Sequence, residues 1–140
     1  MSILVWTTAV ALAIACGACS SASTGPVSFP ADAFSTSTTD SGTLHVELRT
    51  SPQPPARGTI EAQLVITKVA DDSPVDGLTV AIQPWMPAMN HGAIAPTVMG
   101  LGDGKYLVTE LDVFMPGHWE LRTALSGAMT DHVTPAFDIQ

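Results

Sequence analysis

The chain has 140 residues, enough for one domain of ordinary size, and a formal charge of −8 from 5 Lys and Arg against 13 Asp and Glu. That balance argues against a nucleic-acid partner, since affinity for a polyanion comes mainly from cations that neutralise phosphates, and it provides no polybasic patch for anionic lipid. Charged residues are only 13% of the chain, while Ala, Ser, Thr, Pro and Val are plentiful, which suits a β-rich domain joined to a low-complexity segment better than a helical bundle.

Residues Ile3 to Ala18 are almost wholly apolar and small. The run falls short of the roughly 20 residues that a transmembrane helix needs, and has the length of a signal-peptide core. Leu12-Ala13-Ile14-Ala15-Cys16 resembles a bacterial lipobox, with a small residue before the cysteine that becomes lipidated. Cys19 is a poorer match, because Cys16 occupies the place where an aliphatic residue is usual. No Lys or Arg precedes the run, so plain secretion with cleavage after an Ala and an uncleaved anchor stand beside lipidation as alternatives. The expectation is a signal segment over residues 1–19 with Cys16 lipidated, and an extracytoplasmic, periplasm-facing domain held to the membrane by that lipid anchor. Secretion is the alternative localisation.

Residues 20–42, rich in Ser, Thr, Ala and Gly without a sustained apolar period, read as a flexible tether. From Thr43 to Gln140 the pattern changes to short alternating runs separated by Pro, Gly and Asp. Thr43 to Arg49 alternates Leu44, Val46 and Leu48 against polar neighbours. After the stiff SPQPPARG loop, Thr59 to Ala70 reads as a strand, DDSPVDG as a turn, and Leu78 to Trp85 as a strand with Leu78, Val80 and Ile82 on one face. Ala93 to Met99 is a weaker strand, LGDG a tight turn, and Lys105 to Phe114, Trp119 to Leu125 and Val133 to Ile139 are later strands. About seven short strands with turns roughly every ten residues predict an all-β, immunoglobulin-like sandwich.

The two cysteines, Cys16 and Cys19, both lie at the end of the apolar run. The domain therefore has no internal disulfide and no thiolate ligand, and any soft ligand must be a methionine. Trp85-Met86-Pro87-Ala88-Met89-Asn90-His91-Gly92 sets two thioethers and an imidazole within six residues of a turn. That uncharged donor set suits Cu(I), and suits Zn(II) less well. A second such piece is Met115-Pro116-Gly117-His118-Trp119. If Leu78–Trp85 runs up, Ala93–Met99 down and Lys105–Phe114 up, then Met86, Met89, His91, Met115 and His118 share one end of the sandwich. His45, Met99, Met129 and His132 then fall towards the other. The count requires that residues 93–99 form a down-strand and not a crossing loop.

WMPAMNHG, then GDGKY, then a strand ending in FMPGHWEL resembles the YtkA-like domain of bacterial exported proteins and lipoproteins over roughly Gly42 to Gln140. The most specific part is the Met-Pro-x-Met-x-His-Gly turn, which maps onto Met86, Pro87, Met89, His91 and Gly92; His118 has no counterpart in that motif. Related domains occur near heavy-metal and copper genes, so the resemblance implies a metal-linked role.

Plainer roles compete for the same residues. Met86 and Met89 could plug the open end of the sandwich, Met115 could be core, and His91 could cap a turn. His45 and His132 read as solvent-facing, Trp85 and Trp119 as core or rim aromatics, and Asp71, Asp72 and Asp76 as solvated turn residues. No G-x-S-x-G, P-loop or H-E-x-x-H occurs, so an enzyme is not expected. The reading that follows is a copper-binding accessory domain with Met86, Met89, His91, Met115 and His118 as candidate ligands, serving delivery, buffering or sensing. The alternative is a metal-free periplasmic interaction module that docks on a membrane or transporter partner through the apolar turn Trp85–Met89; the partners expected are the membrane through the lipid anchor and a membrane transporter or metal-handling protein.

Overall fold

A computed structural model describes residues 26–140. The apolar run, Cys16 and Cys19 lie outside them, so the signal and lipidation expectations are not addressed by the fold. The described residues form an all-β sandwich of two antiparallel sheets. The strands are β1 (Ser35–Thr38), β2 (Leu44–Ser51), β3 (Gly58–Lys68), β4 (Leu78–Met86), β5 (His91–Gly92), β6 (Thr97–Gly102), β7 (Lys105–Val113), β8 (Gly117–Gly127), β9 (Asp131–Val133) and β10 (Ala136–Ile139). One sheet runs β1-β2-β3-β7-β6; the other runs β10-β8-β4-β5, with β9 also on β8.

Period-2 alternation places the core. Leu44, Val46 and Leu48 of β2 point inward, as do Leu78, Val80, Ile82 and Met86 of β4 and Trp119, Leu121 and Leu125 of β8. In β7 the inward phase switches from Tyr106 and Val108 to Leu111 and Val113. A bulge causes the switch: Ile60 pairs with Leu111 but Ala62 pairs with Val108, and Glu110 takes a left-handed φ of 61°.

Pro84 sits inside β4 and lacks a donor. Its carbonyl accepts the amide of Ala93, so its nitrogen faces the β5 side, where the sheet ends. The missing N–H therefore interrupts no bond to β8.

Besides the expected Val133–Ile139 strand, which is split into β9 and β10, two boundaries differ from the sequence reading. Ser35–Thr38, expected within the tether, forms β1 and pairs with Leu48 to His45. It is an edge strand with a half-exposed pattern, so it needs no apolar period. Secondly, the down-strand expected over 93–99 is β6 at Thr97–Gly102 and belongs to the opposite sheet from β5. Residues 93–96 make the crossing. The direction still holds, because β5 is antiparallel to β4 and β6 is antiparallel to β7.

Calling the end reached by β4 the upper one, the loops 52–57, 87–96 and 114–116 all lie there. Gly58 pairs with Val113, Ser51 with Glu61, and Ile139 with Gly117. His45 and Met129 lie at the lower end, and Met99 and His132 in its half, beside Leu107 and Ala124.

Candidate functional site

The turn that carries the Met/His motif closes the β4–β5 hairpin. Met86 ends β4, Pro87–Met89 makes one 3-10 turn, and Asn90 takes a left-handed φ of 48° that returns the chain to His91. Pro87 supplies the fixed φ that starts the turn, and Asn tolerates the left-handed position better than most side chains. The Asn90 amide donates to the Pro87 carbonyl at 3.1 Å. Gln83 clamps the hairpin from outside: its Nε2 donates to the carbonyls of Ala93 at 2.7 Å and Pro84 at 3.1 Å. Gly92 is required by close approach. A Cβ there would stand 2.9 Å from Gln83 Nε2 and 3.1 Å from the Trp85 ring.

Met86 and His91 are directly opposite in this pair, so their side chains leave the same face of the sheet. Met86 is buried at 2% exposure, with its methyl carbon against Gly117. His91 is exposed at the mouth. The connection between β7 and β8 comes to the same place. Met115 is half-buried and packs against the core, and its carbonyl accepts the Trp119 indole N–H at 2.9 Å. Together these loops enclose an open depression of about 360 Å³ lined by His91, Ala93, Ile94, Asp112, Phe114, Met115 and Trp119.

The five sequence candidates therefore separate. His91 and Met115 share the depression, and Met86 lies in the core beside it. Met89 stands 62% exposed on the turn and does not line the depression. His118 is not brought to the others. Trp119 points inward, so its neighbour His118 points to the outer face of the sheet, where Nδ1 lies 3.1 Å from Asp138 Oδ1. Both of those side chains are more than half exposed. The signal for this was present in the alternation of Trp119, Leu121 and Leu125.

Trp119 belongs to the core, whereas Trp85 lies on the outer face beneath the Arg122 guanidinium, 4.5 Å from the ring centroid. Three residues lining the depression were not singled out by the sequence: Asp112, Ile94 and Phe114. Asp112 accepts a hydrogen bond from the Thr59 hydroxyl at 2.6 Å. No spacing signal marks these residues, because the bulge at Glu110 and the crossing at 93–96 bring them together.

Among the described residues no three His, Cys, Asp or Glu side chains gather as a metal-holding group. The donors that line the depression are the His91 imidazole, the Met115 thioether and the Asp112 carboxylate, one oxygen of which already accepts from Thr59. The imidazole and thioether suit a soft ion, whereas a single carboxylate is too few for calcium or magnesium, which take oxygen ligands.

The family model described as YtkA-like matches residues 38–124. The chain belongs to the YtkA-like family. The match contains both the Met86–Gly92 turn and the Phe114–Leu121 piece, and it begins on β1, in agreement with the earlier start of the folded domain. No curated protein and no solved structure matches the chain.

Proposed function

We propose that this YtkA-like domain is an extracytoplasmic accessory, anchored through Cys16, that holds one copper ion, preferably Cu(I), at its upper mouth for delivery, buffering or sensing. One observation carries the reading: His91 and Met115, from two separate loops, line the same depression, and Met86 stands opposite His91. Neutral thioethers and imidazole favour a soft ion, and a site without cysteine avoids thiol oxidation in an oxidising compartment. His91, Met115 and Met86 would hold the ion, with Met89 as a further thioether on the rim. His118 is left out because it faces Asp138 on the other side of the sheet.

The test is a Cu(I) competition titration of the full chain, repeated on His91→Ala, Met115→Leu and Met86→Leu. Leucine keeps the volume and removes the sulfur. Binding at about micromolar Kd or tighter, weakened about tenfold or more in these variants, supports the site. Weaker binding, or binding that the variants leave unchanged, removes it. Mass spectrometry of the mature N-terminus tests the anchor: a lipidated Cys16 supports it, and a free Gly17 or Ser20 terminus refutes it.

A second reading, a metal-free module that docks on a transporter or a metal-handling protein, is favoured by the exposed side chains of Met89, Ile94 and Phe114. It predicts that Met89→Ala weakens capture of the partner while copper titration shows nothing.

A further inference from the structure

We propose that the upper end of the domain seats on the lipid bilayer, the zwitterionic surface of the membrane that holds this chain's own N-terminal segment, through Met89, Ile94 and Phe114. The proposal rests on the anchored reading of residues 1–19 and not on copper.

Three observations point the same way. Met89, Ile94 and Phe114 are 62%, 80% and 63% exposed, and they project from the two neighbouring connections that border the depression. Exposed Phe, Ile and Met on adjacent loops suit shallow insertion among acyl chains, where their apolar surface leaves water.

Charge distinguishes the two ends of the sandwich. Residues 87–97 and 113–119 contain no Asp, Glu, Lys or Arg, and the charged residues nearest them at this end, Asp112 and Arg57, are held by Thr59 and by the Gln140 carbonyl. The lower connections carry Asp71, Asp72, Asp76 and Asp103. An acidic lower end and a net charge of −8 favour an orientation with the two apolar connections down, and favour zwitterionic over anionic lipid.

The chain also leaves the domain at this end. β1 starts beside Leu48, the Phe34 amide donates to the Leu48 carbonyl, and Gln53 Nε2 donates to the carbonyl of Asp32. The route towards the apolar run of residues 3–18 therefore starts at the upper end. A short tether holds the seat at high local concentration, so weak contacts suffice.

The experiment uses the full chain reconstituted in phosphatidylcholine vesicles that carry a photoactivatable phosphatidylcholine, with crosslinks mapped by peptide mass spectrometry. Wild type is compared with Ile94→Ser/Phe114→Ser, whose changes fall on exposed side chains and spare the core. Thermal unfolding verifies that both chains fold. The expected result is co-flotation with vesicles, lipid label within residues 87–96 and 113–117, none within 69–77 or 102–105, and about a tenfold loss of domain label in the variant. Label confined to residues 1–25 leaves the anchor standing and overturns the seat. Label spread equally over both ends, unchanged label in the variant, or crosslinks to a second copy in place of lipid also overturns the seat. Failure to co-float overturns both the anchor and the seat.

Discussion

Met86 and His91 face one another across the β4–β5 pair, one sealed in the core and the other open at the mouth. The four residues between them reverse the chain. The motif is therefore buried at its first residue and accessible at its last. Substitutions along it have different consequences according to that placement.

Truncating Met86 removes a buried side chain that touches Gly117, so Met86→Ala costs about 2–5 kcal/mol of folding stability. Met89→Ala, at an exposed position, changes stability by about 0.5 kcal/mol or less. Urea unfolding without metal measures both. Equal effects would contradict the placement of these side chains.

Gly92→Ala drives a Cβ against Gln83, Trp85 and the Pro84 carbonyl, and destabilises by about 1–3 kcal/mol through overpacking. Gly100→Ala is the control. Its nearest neighbour is the Tyr106 ring at 3.7 Å, an ordinary contact, and the change stays within about 0.5 kcal/mol. The difference between the two midpoints in one denaturant series decides the matter.

His91→Ala and His118→Ala separate the two faces of the sheet. On the proposed copper reading, His91→Ala weakens Cu(I) binding about tenfold or more, whereas His118→Ala leaves it within about twofold. His118 loses only its exposed contact with Asp138, a pair of the kind worth about 0–1 kcal/mol at a surface. An effect of His118→Ala as large as that of His91→Ala would reject the assignment.

Asp131 gives the fold an acid limit. Hydrogen bonds from the Ser41 hydroxyl and then from Thr39, with the amides of His132 and Ser41, hold its carboxyl well below the usual carboxylate range. A carboxylate with a depressed folded pKa stabilises fully above its unfolded value, 3.8 here, and loses that contribution as pH falls below it towards the folded pKa. Asp131→Asn therefore lowers stability at pH 7 and flattens the loss between about pH 5 and pH 2. Thermal unfolding over that range reads the slope. An unchanged slope would show that Asp131 does not carry it.

Much of the fold was readable from local pattern. Leu44, Val46 and Leu48, then Leu78, Val80 and Ile82, alternate as they do because one face of each strand meets the core. The same alternation through Trp119 and Leu121 already turns His118 outward. β1 was not readable, because an edge strand of Ser and Thr buries too little to need an apolar period. Nor was Asp112 as a residue that lines the same depression as His91, since no local spacing connects positions 91 and 112.

By itself the sequence determined which segments alternate, where the chain must turn, and that the only soft donors available to the domain are methionines. The Met-Pro-x-Met-x-His-Gly run was sufficient to indicate the family. Only the tertiary structure decided which of those donors meet. The bulge at Glu110 shifts the phase of β7, and residues 93–96 carry the chain from one sheet to the other. Both are displacements of one or a few residues whose effect appears only when two sheets pack. That packing sets Met115 and His91 around one depression and leaves His118 on the far side of the sheet.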